Sequence, residues 1–160
     1  MSETRVGIGI DFHRLQENRD LILGGVKVPY EKGLVGHSDA DVLTHALCDA
    51  LLGAAALGDI GTHFPDDDDA YRGICSLVLL ERVIDLLARA GFKPQNVDAV
   101  IMAEAPKLGT YFPAMKQTLS PILHVPTERI GLKATTSEGM GALGRGEGIG
   151  AMAVCLIETA

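Results

Sequence analysis

Asp11 and His13 stand two residues apart, and a third group, His45, lies further on with Asp41 four residues before it and Asp49 four after. Carboxylates and imidazoles bind zinc through oxygen and nitrogen, and a set of three leaves a fourth position open for chemistry. On a strand, Asp11 and His13 share a face; on a helix, Asp41, His45 and Asp49 share an edge, so either aspartate is placed to accept from the second ring nitrogen of His45. The plainer alternatives are a strand-end Asp–His ion pair and a histidine satisfied inside a core. A second cluster is KATTSEGMGALGRGEG, Lys133 to Gly148. Hydroxyls of Thr135, Thr136 and Ser137 with glycine N–H groups can cradle phosphate, and Lys133 and Arg145 add positive charge. The run matches neither the Walker nor the dinucleotide pattern, and a tight turn before a strand explains it equally well. Glu138 suits such a loop if it holds a divalent ion between phosphates. Between the clusters, Asp59 to Gly73 is an acidic loop in which Asp67, Asp68 and Asp69 read as a solvated tip, while Asp59, His63 and Asp66 flank it near the helix of His45.

Several elements must position these groups. RVGIGIDFHRL sets Val6, Ile8, Ile10 and Phe12 against Gly7, Gly9, Asp11 and His13, which is strand periodicity, and the glycines leave their face open to close approach. His37 to Leu57 reads as one helix with its leading loop, started by Ser38 and Asp41, apolar through Val42, Leu43, Ala46, Leu47, Ala50 and Leu51, and ending near Gly58. Leu21 to Pro29 is a hairpin about Gly24 and Gly25, and Tyr30 to Gly36 is a connection. Next come a helix from Cys75 to Ala90, a strand from Val97 to Ala103, and a helix begun near Pro113 and ended or kinked at Pro121. Strands at Ile130 to Thr135 and Ile149 to Glu158 close the chain, the last apolar on both phases and so expected to be buried. The order predicts a single α+β domain over residues 1–160, a mixed β-sheet with helices packed on one face.

The net charge of −7 over 160 residues argues against nucleic acid and anionic membrane as partners, while 47% apolar composition suffices for a core. Cys48, Cys75 and Cys155 each sit in an apolar segment with no C-x-x-C pair, and read as buried free thiols of a reducing compartment. The opening MSETRVGIG has no signal-peptide pattern and no apolar run approaches membrane length, so a soluble, cytoplasmic protein is expected.

Four segments carry a family resemblance: DFH at Asp11 to His13, GHSDADVLTHALCDALLGAAALGDIGTHFPD from Gly36 to Asp66, AEAPK at Ala103 to Lys107, and KATTSEGMGALGRGEGIG from Lys133. They closely resemble the 2-C-methyl-D-erythritol 2,4-cyclodiphosphate synthase family of the non-mevalonate isoprenoid pathway, over nearly the whole chain. The resemblance implies a homotrimer with active sites between adjacent subunits. It implies a phosphorus–oxygen lyase that converts 4-diphosphocytidyl-2-C-methyl-D-erythritol 2-phosphate to the cyclic diphosphate and CMP, using Zn2+ and either Mg2+ or Mn2+. Carried over by motif, the zinc ligands are Asp11, His13 and His45, with Phe12 beside them, and Glu138 holds the second ion together with the substrate phosphates. His37 and Ser38 fall on the methylerythritol phosphate, and Asp59, Ile60, Gly61, Phe64, Pro65, Asp66, Asp67 and Asp68 line the same pocket. Ala103, Glu104, Ala105, Pro106, Lys107, Leu108, Gly109, Thr135, Thr136, Ser137 and Glu138 hold the cytidine diphosphate, with Ala142 and Arg145 also in contact. His37 and Thr136 match positions that stabilise the transition state. The chain departs from the family pattern at Ala142 and Leu143, where phenylalanine is usual, and at Phe12, where a smaller aliphatic residue is usual. A zinc phosphohydrolase and a non-catalytic nucleotide-binding trimer are the competing readings.

Overall fold

The computed structural model describes residues 2–160. Strand β1 (Thr4–Glu17) is followed by a hairpin, β2 (Leu21–Leu23) and β3 (Val26–Val28), and by β4 (Lys32–Leu34). Helices α1 (Val42–Ala54), α2 (Ile60–His63) and α3 (Ser76–Arg89) precede β5 (Phe92–Met102). The chain ends with α4 (Phe112–Leu123), β6 (Ile130–Thr135), α5 (Gly141–Gly144) and β7 (Gly148–Thr159). The main sheet has the order β4-β1-β7-β5-β6, antiparallel except for the parallel β5–β6 pair. It is therefore the expected mixed sheet of an α+β fold, with α1 packed across β1 and β7.

Gly7 and Gly9 set that packing. A Cβ on Gly9 would lie 2.0 Å from the Ala46 carbonyl oxygen, and one on Gly7 would lie 1.9 Å from that of Ala50, so the helix backbone rests directly on the strand. The two run in opposite directions. Two strand residues advance about 6.7 Å and one helical turn about 5.4 Å, so the step from Gly9 to Asp11 brings that face level with the first turn of α1, where His45 sits.

The glycine face of β1 is the one that is approached closely, as its sequence suggests. The strand's large apolar residues face outward, with Val6 67%, Ile8 60% and Phe12 57% exposed, because the glycine phase is the one that meets α1. On β7, Val154 and Leu156 lie opposite Ile8 and Val6 and are also exposed. The last strand is thus covered on one face only, contrary to the expectation from its two apolar phases.

Other boundaries also differ. Asp41, not Ser38, caps α1; its fully buried carboxylate accepts from Thr44 N and Thr44 Oγ1 and from Gly24 N and Gly25 N, which pins the hairpin to the helix start. Burial is the main effect on that carboxyl and raises its pKa. The helix ends at Ala54, short of Gly58, and the presumed connection before it contains β4. The acidic loop is not featureless: Asp59 caps α2 through Thr62, and a 3-10 turn covers Asp69–Tyr71. Pro121 does not stop α4, which continues to Leu123 and ends on His124 at φ 56°. Strand β5 begins at Phe92, five residues before Val97. Cys48 and Cys155 are buried free thiols, but Cys75 is exposed, since it caps α3 instead of lying within it.

Candidate functional site

The strand face of Asp11 and His13 and the first turn of α1 converge on three donor atoms. His13 Nε2 lies 2.8 Å and His45 Nδ1 3.1 Å from the same oxygen, Asp11 Oδ2, and the two ring nitrogens are 3.2 Å apart. Donors held at about 2.0–2.1 Å around a tetrahedral zinc are about 3.3 Å from one another, so this spacing fits such an ion. Ring orientation fits as well. His13 Nδ1–H donates to the Val35 carbonyl at 2.9 Å, leaving the Nε2 lone pair turned inward. His45 Nε2 faces Ser76 Oγ at 2.8 Å and Ser38 Oγ at 3.1 Å, leaving Nδ1 inward.

The electrostatics are those of a charged cluster in partial shelter. Burial works to raise the Asp11 pKa, but hydrogen bonds and charge from His13 and His45 outweigh it and hold the carboxyl down at about 2. Burial pulls the His13 pKa down, and the Asp11 carboxylate more than reverses this, so the net shift is upward. Both shifts share one contact, His13 Nε2 against Asp11 Oδ2, and a cation bound here would compete with protons for the same atoms.

The donors sit in a cavity of about 240 Å³, which brings together the expected residues Asp11, His13, His37, Ser38, His45, Asp59, Ile60, Gly61, Phe64 and Asp66. Asp49, Tyr71, Ile74 and Leu79 complete the lining. Neither Asp41 nor Asp49 accepts from His45: Asp41 is the helix cap, and Asp49 Oδ1 takes the Ile60 amide at 2.9 Å. Burial raises the Asp49 pKa. His63 is outside the cavity and donates to the Leu57 carbonyl. Pro65, Asp67 and Asp68 do not line it either, although the Asp68 carbonyl accepts from His37 Nε2 at 3.1 Å. The role of Ser76 was hidden in the sequence, where it is merely the first residue of an apolar helix.

The phosphate-loop residues gather elsewhere. Phe12, Gly150, Met102 and Thr135 form one cross-strand row, so Ala103 and Thr136 begin at the same end of the sheet as Asp11, two and three strands away, about 10 and 14 Å. Glu104 Oε1 accepts from Ser137 N, Ser137 Oγ and Gly139 N, and these bonds, led by the Ser137 amide, lower its pKa. This carboxylate shapes the 137–139 turn. Thr136 Oγ1 accepts from Glu138 N, and Glu138 takes φ 56°. Ala105–Pro106 is cis, and Lys107 and Gly109 are exposed beside buried Leu108. Lys133 Nζ pairs with both oxygens of Asp98 at 2.6 Å on the surface. Arg145 pairs with Glu147 at 3.0 Å. Phe12 and Ala142 share a separate shallow groove with Met140 and Leu143. The metal-type donors and the phosphate-type loop are thus two separate clusters within one chain.

A mixed sheet covered on one face, with an Asp–His–His donor set open to a cavity, defines an α+β protein built around a candidate metal centre. The chain belongs to the YgbB family, whose pattern it matches over residues 4–158. It is 56% identical over 153 residues to the 2-C-methyl-D-erythritol 2,4-cyclodiphosphate synthase of Clostridium perfringens, covering 96% of this chain and 98% of that one. It is 58% identical over 154 residues to the enzyme of the same name from Desulforamulus reducens, with the same 96% and 98% coverage. Among solved structures, a 2C-methyl-D-erythritol-2,4-cyclodiphosphate synthase in a CDP-bound form superposes with a TM-score of 0.88 at 42% identity, covering 96% of this chain and 99% of that one. The bifunctional IspDF from Campylobacter jejuni superposes with a TM-score of 0.96 at 40% identity; all of this chain is covered, but it spans only 43% of that protein.

Proposed function

We propose that this chain converts 4-diphosphocytidyl-2-C-methyl-D-erythritol 2-phosphate to 2-C-methyl-D-erythritol 2,4-cyclodiphosphate and CMP, a phosphorus–oxygen lyase step in making isoprenoid precursors by the non-mevalonate route. The observation that carries this reading is the convergence of Asp11 Oδ2, His13 Nε2 and His45 Nδ1 within 4.8 Å, in a chain of this family.

The nucleophile is already in the substrate: an oxygen of the 2-phosphate forms a bond to the outer phosphorus of the diphosphate as the bond from that phosphorus to CMP breaks. No side-chain base is needed, so the residues act by positioning and by answering charge. His37 and Ser38 at the cavity mouth orient the methylerythritol phosphate, with Asp59, Ile60, Gly61 and the Phe64–Asp68 segment around it. Backbone amides and hydroxyls of Thr135 to Glu138, with the Ala103–Gly109 loop, hold the cytidine diphosphate; His37 and Thr136 face the charge that develops in transfer. Zinc at Asp11, His13 and His45, and magnesium or manganese at Glu138, would supply Lewis acidity and charge neutralisation at the phosphates. That supply explains how a chain of net charge −7 handles a polyanion.

The two clusters meet if subunits associate, and we assign the outward apolar face of β1 and β7 to a homotrimer that joins one chain's donors to its neighbour's nucleotide loop. CDP-bound relatives support the cytidine half: a synthase described as bound to CDP and the Plasmodium falciparum IspF CDP complex, the latter at a TM-score of 0.85 and 30% identity, covering 98% of this chain and 96% of that one. No helix among the described residues is long and apolar enough to cross a membrane. The reading is tested with a substrate that lacks the 2-phosphate. CMP release should stop; release at a comparable rate would mean that water is the nucleophile and the protein is a hydrolase.

A further inference from the structure

The donor set is held by a chain of hydrogen bonds that reaches a residue outside the cavity. Ser76 is the first residue of α3 and is fully buried, as a small hydroxyl rarely is without a reason. Its Oγ is 2.8 Å from His45 Nε2 on one side and donates to Asp39 Oδ1 on the other. Asp39 Oδ2 separately accepts the Ser76 amide at 3.0 Å, and Oδ1 also accepts the Asp41 amide at 3.1 Å.

Donor and acceptor capacity fixes the direction of this chain. A carboxylate only accepts, so the single hydroxyl proton of Ser76 must point at Asp39. Ser76 then offers only lone pairs to the imidazole and draws the His45 proton to Nε2, against the pull of Asp11 Oδ2, which faces Nδ1 at 3.1 Å. Nδ1 is left as a bare lone pair, turned toward Asp11 Oδ2 and His13 Nε2. Ser38 Oγ, at 3.1 Å from the same Nε2, is half-buried in the cavity lining and already accepts the Ala40 amide, so it is the weaker acceptor.

We propose that Asp39 and Ser76 are positioning residues for His45: a buried hydroxyl relay that fixes its ring tautomer so that Nδ1 is presented to the metal. The inference rests on reading Asp11, His13 and His45 as a metal site. The alternative is that Asp39 merely anchors the N-terminus of α3, and the two roles use different atoms. Anchoring needs only the Ser76 backbone amide; the relay needs its hydroxyl.

Ser76→Ala keeps the amide and removes the hydroxyl, and Asp39→Asn replaces an acceptor-only group with one able to donate to Ser76 and reverse the relay. Both full-length variants are compared with the parent in two measurements. Zinc affinity is read by competition with a chromophoric chelator. The His45 tautomer is read from ring 15N shifts of the metal-free protein at mildly alkaline pH, where a neutral imidazole is observed. The parent should show Nε2–H; both variants should gain Nδ1–H and bind zinc about 10- to 100-fold more weakly, with melting temperature little changed for Ser76→Ala. Unchanged ring shifts and zinc affinity within about twofold in Ser76→Ala would overturn the relay and leave Asp39 as a helix anchor. A parent chain that takes up no zinc would instead refute the metal reading, and the ring shifts would then judge the relay alone.

Discussion

Asp11 is pulled in two directions, and the balance sets how the site responds to pH. Its folded pKa of about 2 is below the 3.8 of an unperturbed aspartate, so its stabilisation of the metal-free protein is present above 3.8 and lost as pH falls toward 2. The His13 pKa is raised from 6.5, so its stabilisation is complete below 6.5 and lost as pH rises through the folded value. Thermal unfolding of metal-free protein should therefore show the pair's contribution at its greatest between about pH 4 and 6.5, and Asp11→Asn should flatten that profile. Zinc should reverse the alkaline limb, because a bound cation competes with the His13 proton and binds more tightly as pH rises. An unaltered profile in Asp11→Asn would contradict the geometry. Residue types and spacing made Asp11, His13 and His45 legible as donors. The sequence misled about what orients His45, since the helical spacing of Asp41 and Asp49 says nothing of a serine from another helix.

At the scale of elements, the site depends on how closely α1 lies on β1. Gly9→Ala would drive a methyl group into the Ala46 carbonyl, with 2.0 Å available, and the backbone must part. Destabilisation of roughly 3 kcal/mol is expected, lowering the melting temperature by about 6 to 12 °C, together with weaker zinc binding because Asp11 and His13 move relative to His45. Calorimetry and zinc titration check this; a stable variant with unchanged zinc affinity would mean that the close approach does not position the site. Much at this scale could be read from periodicity, including the helix of His45, the hairpin at Gly24 and Gly25, and strands β1, β6 and β7. Its failures have separate, local causes. Asp41 outcompeted Ser38 as cap because it also satisfies two hairpin amides, and Pro121 is tolerated inside α4 near its end. Short β4 has too few residues to show alternation, and the acidic run concealed a turn of helix capped by Asp59.

For the whole molecule, the outward face of β1 and β7 is the decisive surface. Alternation marked Val6, Ile8, Ile10 and Phe12 as one phase of a strand, but alternation cannot say which phase meets the core when the other phase is glycine. Ile8 is 60% exposed, so on the proposed trimer Ile8→Lys should leave the subunit folded while giving a monomer by light scattering and abolishing turnover, since the proposal places the two parts of each site on different subunits. A fully active monomer would show that one chain holds a complete site. Cyclisation at a site organised by Asp11, His13 and His45 is followed by 31P NMR. The zinc- and magnesium-loaded protein should give CMP and the cyclic diphosphate in equal amounts with no inorganic phosphate, and His45→Ala, folded but free of zinc, should give neither. Release of inorganic phosphate would mean hydrolysis, and undiminished cyclisation by His45→Ala would mean that the reaction does not depend on this donor set.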